Sequence, residues 1–304
     1  MFGKSDGTAE TAKAAGRRPE PSLRKRLTKQ TGFCRDGFRL FTIGLCADTG
    51  AARRRHHSGF IRKTTEREHP MDYLFPPPAP AALPIRGSSA LFPVRRVYCV
   101  GRNYAAHARE MGADPQREPP FFFCKHGDAQ SVVPVPAGSR ATLPYPPFTA
   151  DFQHEIELVA AIGKGGSRIP AEEALSHIFG YAVGLDMTRR DLQTEMRRAG
   201  RPWETGKAFD YAAPVGTLCP AADAPHIGRA ALMLTVNGRA RQSGNTADMI
   251  WSVAETLARL SEFFTLHPGD LVFTGTPEGV SAVSSGDVLH ASVEGLDDIE
   301  AVWI

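Results

Sequence analysis

Two carboxylates one residue apart, Glu155 and Glu157, lie inside an apolar run and constrain this chain more than any other feature. The stretch from Gln153 to Gly163 (QHEIELVAAIG) reads as a β-strand. Strand side chains alternate, so both carboxylates share one face while Ile156 and Leu158 turn towards a core. Two like charges on one face repel unless something is held between them. A third carboxylate, Asp186, ends a second apolar strand beginning at Tyr181. Three convergent carboxylates suit a hard, oxygen-seeking cation such as Mg2+ or Mn2+ better than Zn2+. Taken alone, Glu-x-Glu has a simpler reading, the wet face of a half-buried strand.

Charge divides the chain. Residues 1–70 hold 16 Lys/Arg against 7 Asp/Glu, a net of +9, whereas the remainder holds 20 against 26, a net of −6. The first segment lacks sustained hydrophobic periodicity and reads as a disordered basic extension. Composition switches abruptly at Met71, which reads as the physiological start, with residues 1–70 an upstream extension of the reading frame. Residues 71–93 are a Pro/Ala-rich lead-in, and residues 94–304 form the compact catalytic part. That part is acidic and carries no basic stripe, which argues against nucleic-acid binding. No apolar run approaches ~20 residues, so no membrane-spanning helix is expected. Five cysteines without a C-x-x-C pair point to reduced thiols and a cytoplasmic setting.

Within the compact part, short strands are expected at 97–101, 121–123, 231–238, 270–275 and 287–293. Asn237-Gly238 marks a hairpin turn. Helices are expected at 103–111, 170–178, 188–199 and 246–260. Many short strands with few helices indicate one α+β domain with a mixed or antiparallel sheet. No regular strand–helix alternation and no G-x-G-x-x-G appear, so a doubly wound nucleotide-binding sheet is set aside.

Four further motifs bear on chemistry. His107 and Glu110 are three apart on a short helix, which puts them on one face. A carboxylate there orients the imidazole and supports its charge, and the pair can take a proton from water. Arg190 and Gln193 follow Asp186 by one and two turns, within reach of an anionic ligand. Lys207 stands behind a glycine. The Thr274-Gly-Thr-Pro-Glu-Gly279 turn offers N–H groups and hydroxyls that could bind a carboxylate. Each alone also reads blandly, as a surface ion pair, a solvated lysine or a tight turn.

Together these segments resemble the fumarylacetoacetate hydrolase family, in its fumarylpyruvate hydrolase branch. The resemblance rests on YCVGRNYAAH at 98–107, HEIEL at 154–158, GYAVGLDMTRRDLQ at 180–193, GKAFD at 206–210 and FTGTPEGV at 273–280. It implies a mixed β-roll of the fumarylacetoacetate hydrolase type with a few flanking helices, in a homodimer. It implies Glu155, Glu157 and Asp186 as ligands of Mg2+ or Mn2+. His107 and Glu110 resemble a water-activating dyad on a lid, and Lys207 resembles the lysine beside the metal. Arg102, Asn103, Tyr104, Lys125, Arg190, Gln193 and Thr276 resemble substrate-contacting positions. The implied reaction is hydrolysis of a carbon–carbon bond in a small-molecule 1,3-diketo acid, foremost fumarylpyruvate, giving fumarate and pyruvate as in gentisate-type aromatic breakdown. Acylpyruvate hydrolysis, oxaloacetate decarboxylation and dienedioate isomerisation are alternatives on the same metal site. The chain departs from the branch pattern at Lys125-His126-Gly127, where Lys-Pro is expected, and at Ser281, where glycine is expected. It also carries Gln153 where histidine is expected. The first two are expected near the pocket and bear on substrate preference.

Overall fold

The computed structural model describes residues 73–110 and 118–304. The basic segment 1–70 and its proposed boundary lie outside the described residues.

Two mixed sheets face each other. The larger runs, edge to edge, through Phe121–Lys125, Arg96–Gly101, Asp270–Phe273, Ile156–Ile162, Ile178–Leu185, Ala213–Gly216 and Val132–Val135, with Cys219–Pro220 added beside Ile178–Leu185. The smaller runs through Arg239–Asn245, Ala231–Val236, Val288–Val293, Ile299–Trp303 and Arg140–Leu143. Most neighbours are antiparallel, but Asp270–Phe273 pairs in parallel with Arg96–Gly101, Ala213–Gly216 with Val132–Val135, and Ile299–Trp303 with Arg140–Leu143. The α+β class follows.

The Ile156–Ile162 strand lies at the centre of the larger sheet. It is buried on both faces, so the simpler reading of Glu-x-Glu as the wet face of a half-buried strand does not hold. Ile156, Leu158, Ala160 and Ile162 join Leu232, Leu234, Leu289 and Trp303 in one core. Val159 and Ala161 join Val97, Cys99, Leu271 and Phe273 in a second core behind it. Glu157 shares the parity of Val159 and Ala161, so it enters the end of that second layer. The strand also starts at Ile156 rather than Gln153. The Ile156 N–H is taken by Gln242 Oε1 at 3.0 Å, and Phe152–Gln153 pairs separately with Thr188–Arg189.

Local chemistry explains the other boundaries. Asn237 and Gly238 both adopt positive φ, 50° and 74°, the geometry a two-residue hairpin turn requires. The expected 246–260 helix begins later, as Val253–Phe263. Ser252 stops it short by accepting from the Glu255 N–H at 3.3 Å while Glu255 Oε2 accepts from the Ser252 N–H at 3.0 Å. Residues 246–248 form a separate 3₁₀ turn. The Pro/Ala-rich segment holds a small hairpin, Ala82–Pro84 against Leu91–Pro93, which buries Leu83 and Phe92 in the second core. Packing therefore begins before Val94. Among the described residues no helix is long and apolar enough to cross a membrane.

Removing the cap should cost stability without touching the cleft. Ser252→Ala is expected to lose about 1 kcal/mol, read from urea unfolding midpoints at an unchanged m-value.

Candidate metal centre and active site

Glu155, Glu157 and Asp186 are brought together by a loop and two adjacent strands. Glu155 precedes Ile156–Ile162, Glu157 is its second residue, and Asp186 follows Ile178–Leu185, the antiparallel neighbour. One carboxylate oxygen from each lies within 4.8 Å of the others, and all three side chains are buried.

Three buried cations surround these three carboxylates. Lys207 Nζ donates to Glu155 Oε2 at 2.8 Å and to Asp186 Oδ2 at 2.7 Å. Arg190 donates to the other Glu155 oxygen, to Gln153 Oε1 at 2.7 Å and to Gln193 Oε1 at 2.5 Å. Lys125 Nζ lies 2.7 Å from Asp186 Oδ1, but its hydrogen bonds go to the carbonyls of Met187 and Lys207. Asp186 Oδ1 is thus buried with no hydrogen-bond partner among the described residues. Its charge is met instead by the ion pair with the buried Lys125 ammonium.

The carboxylates are pulled apart electrically. Burial would raise Glu155, but the charges of Lys207 and Arg190 outweigh it and hold this carboxyl well below its usual range. Burial pushes Glu157 well above its usual value, and the charges of Asp186 and Glu155 push further, against the Gly275 N–H that donates to it at 2.7 Å. Burial would lower the Lys207 ammonium, yet Asp186 and Glu155 hold it raised. Glu157 therefore keeps its proton more readily than Glu155. An all-oxygen donor set of three convergent carboxylates, in which Asp186 Oδ1 accepts no hydrogen bond among the described residues, fits a hard divalent cation.

His107 and Glu110 meet as expected, Nδ1 lying 3.3 Å from Oε2. Glu110 is anchored in turn, because the Gly279 N–H lies 3.2 Å from both of its oxygens. The 274–279 turn thus spends two amides on the protein's own carboxylates, Gly275 on Glu157 and Gly279 on Glu110, rather than on a ligand. Only glycine fits at either place. Both have φ above 90°, and a Cβ would come within 2.7 Å of Asn103 Cβ at position 275 and 2.0 Å of the Arg241 carbonyl at 279.

The positions expected at substrate divide into two groups. Arg102, Arg190, Gln193 and Thr276 line one cleft with His107, Lys207 and the three carboxylates. Asn103, Tyr104 and Lys125 stand behind its wall. The Asn103 amide binds Trp251 O and Thr274 O at 2.9 and 2.7 Å and accepts from the Trp251 N–H at 2.8 Å, tying the dyad helix to the glycine turn. Tyr104 is buried with its hydroxyl unpartnered among the described residues, and burial, then the Glu157 charge, raises its pKa.

Of the departures, His126 is exposed on a separate groove with Arg95, Arg96 and Cys124, away from the cleft where that loop was expected. Ser281 instead supports the site from outside, its Oγ lying 2.9 Å from His154 Nε2. Gln242, which sequence reasoning missed, joins the parts. Its Oε1 meets His154 Nδ1 at 2.9 Å and the Ile156 N–H, and its amide donates to Thr276 Oγ1 at 2.8 Å. Its signal was faint, a glutamine paired opposite core-facing Leu234 in a polar strand. Trp203 and Arg197, also missed, line the cleft beside Phe121 and Phe123.

The family model described as fumarylacetoacetate (FAA) hydrolase C-terminal matches residues 96–302. The chain belongs to the fumarylacetoacetate hydrolase family. The fumarylpyruvate hydrolase of a Ralstonia species is 45% identical over 61% of this chain and 93% of its own. The oxaloacetate tautomerase of Escherichia coli (strain K12) is 40% identical over 69% of this chain and 93% of its own. A crystal structure of fumarylpyruvate hydrolase from Pseudomonas aeruginosa, in complex with Mn2+ and pyruvate, superposes with a TM-score of 0.74. It is 60% identical and covers 77% of this chain and 100% of that one. The α+β fold, a mixed sheet curled into a half-barrel, is the family's.

A cation seated among the three carboxylates must displace the Glu157 proton, so its affinity should rise with pH up to that raised pKa. Calorimetric Mn2+ titrations across a pH series, in buffers of different ionisation enthalpy, should report proton release that fades as pH rises through that pKa. Glu157→Gln should abolish the release.

Proposed function

We propose that this protein hydrolyses a carbon–carbon bond in a 1,3-diketo acid, with fumarylpyruvate as substrate and fumarate and pyruvate as products. The observation that carries the reading is the conjunction, in one cleft, of a three-carboxylate cluster with an oriented His–Glu pair. The identity to fumarylpyruvate hydrolases supports the substrate.

Glu155, Glu157 and Asp186 would hold Mg2+ or Mn2+. Such an ion supplies Lewis-acid polarisation of the 2-oxo acid and charge stabilisation as the bond breaks. His107, oriented by Glu110, draws a proton from water as its oxygen attacks the distal keto carbon. The bond between that carbon and the adjacent methylene then breaks. Its electron pair leaves with the pyruvate fragment as an enolate, which takes up a proton to become pyruvate. The acyl fragment keeps the water's oxygen and leaves as fumarate. Lys207 places a positive charge beside the developing enolate. Arg190 and Gln193 orient the ligand's oxygens, and Thr276, fixed by Gln242, closes the far side.

The similarity to oxaloacetate tautomerases supports a second reading, proton transfer on oxaloacetate at the same centre. Enolisation also needs a base, so the dyad serves either reading, and the higher identity to fumarylpyruvate hydrolases favours hydrolysis. We place the chemistry in gentisate-type aromatic breakdown, in a cytoplasmic homodimer. The free Cys99, Cys124 and Cys219 support a reducing compartment, and the family resemblance supports the dimer.

Loss of the enol absorbance of fumarylpyruvate with stoichiometric pyruvate formation, abolished by EDTA and restored by Mg2+ or Mn2+, is the expected result. His107→Ala should lower kcat about 10²–10⁴-fold while Mn2+ binding survives. Fast equilibration of oxaloacetate tautomers without fumarylpyruvate cleavage would favour the second reading.

A further inference from the structure

The cleft carries a second cationic feature beyond the carboxylate cluster. Arg190, Gln193 and Arg197 are spaced three and four apart on the Arg190–Arg198 helix, so they share one face, and all three line the cleft. The first two are buried and committed to each other, and Arg190 also to Glu155 and Gln153. Arg197 is exposed at the outer end, roughly 10 Å along the axis from Arg190 at 1.5 Å per residue. Among the described residues its guanidinium has neither an ion pair nor a hydrogen bond. The buried carboxylates are already matched by Lys125, Lys207 and Arg190, so Arg197 is positive charge the protein leaves uncompensated. Phe121 and Phe123 meet Trp203 at ring separations of 5.5 and 5.7 Å, forming an aromatic wall in the same cleft.

We propose that Arg197 is a specificity-determining residue that receives the distal carboxylate of a dicarboxylic diketo acid. The substrate's 2-oxo acid end lies at the Glu155–Glu157–Asp186 cluster. Its planar unsaturated segment runs along the Phe121–Phe123–Trp203 wall. This rests on the hydrolase reading and narrows it to diacids over simple acylpyruvates. Arg102 is the other exposed guanidinium of the cleft, but it is drawn over the Phe121 ring, 5.6 Å from its centroid. Arg197 instead continues the helix face that already carries Arg190 and Gln193.

The test is calorimetric binding to the Mn2+-loaded protein of two unreactive acids of equal chain length, 2-oxoheptanedioate and 2-oxoheptanoate. Wild type should prefer the diacid. Arg197→Ala should weaken the diacid about 10–100-fold, as expected for loss of a charge-assisted hydrogen bond. It should leave the monoacid unchanged, and Arg197→Lys should recover part of the loss. Equal weakening of both acids, no effect on the diacid, binding of neither acid to wild type, or a diacid-selective loss in Arg102→Ala alone would overturn the proposal. Diacid preference without fumarylpyruvate cleavage would leave Arg197's role intact and refute the hydrolase reading separately.

Discussion

Everything in this cleft depends on a buried cluster of six ionisable groups. Glu155, Glu157 and Asp186 lie against Lys125, Lys207 and Arg190, all with side chains nearly out of solvent. Desolvating such groups costs several kcal/mol per ion, and mutual attraction repays this only with close geometry and satisfied hydrogen bonds. The protein meets that demand almost completely. Asp186 Oδ1 is met by the Lys125 ion pair without a hydrogen bond among the described residues, which leaves it a donor atom for an ion among the three carboxylates. Once a divalent cation binds and displaces the Glu157 proton, three carboxylates face three cationic side chains and the ion, a net positive cluster that suits an anionic 2-oxo acid.

The fold holds the cluster by buttressing loops from rigid strands. The Ile156–Ile162 strand is gripped by cores on both faces and cannot slide without exposing one of them. Gln242 reaches in from the smaller sheet and fixes Ile156, His154 and Thr276 together. Asn103 and the amides of Gly275 and Gly279 fasten the dyad helix to the turn beside it. The dyad is thereby coupled to the cluster through Glu157 and Glu110, which are bound by one loop. A substitution in that loop disturbs water activation and ion binding together.

The sequence made the centre legible and left its supports obscure, for a physical reason. Alternation along a strand fixes which side chains share a face, so Glu155 and Glu157 could be paired from their spacing. Helical spacing did the same for His107 and Glu110. Strand burial was harder, since a second apolar layer behind Val159 and Ala161 leaves no local mark. Long-range polar contacts leave less still: Gln242 is 86 residues from Ile156. The Thr274–Gly279 amides looked available to a ligand because nothing local shows that Glu157 and Glu110 take them. The hairpin of Ala82–Pro84 and Leu91–Pro93 was hidden by composition, proline and alanine reading as lead-in although Leu83 and Phe92 belong to the core.

The central claim is that the three carboxylates hold one divalent ion that the surrounding cations do not displace. Anomalous diffraction from crystals soaked in Mn2+ tests it most directly. The account predicts one strong peak bonded to an oxygen from each of Glu155, Glu157 and Asp186, with the Lys207 ammonium withdrawn from the bridge it makes between Glu155 and Asp186. No peak there, or a peak elsewhere with the Lys207 bridge intact, would contradict it.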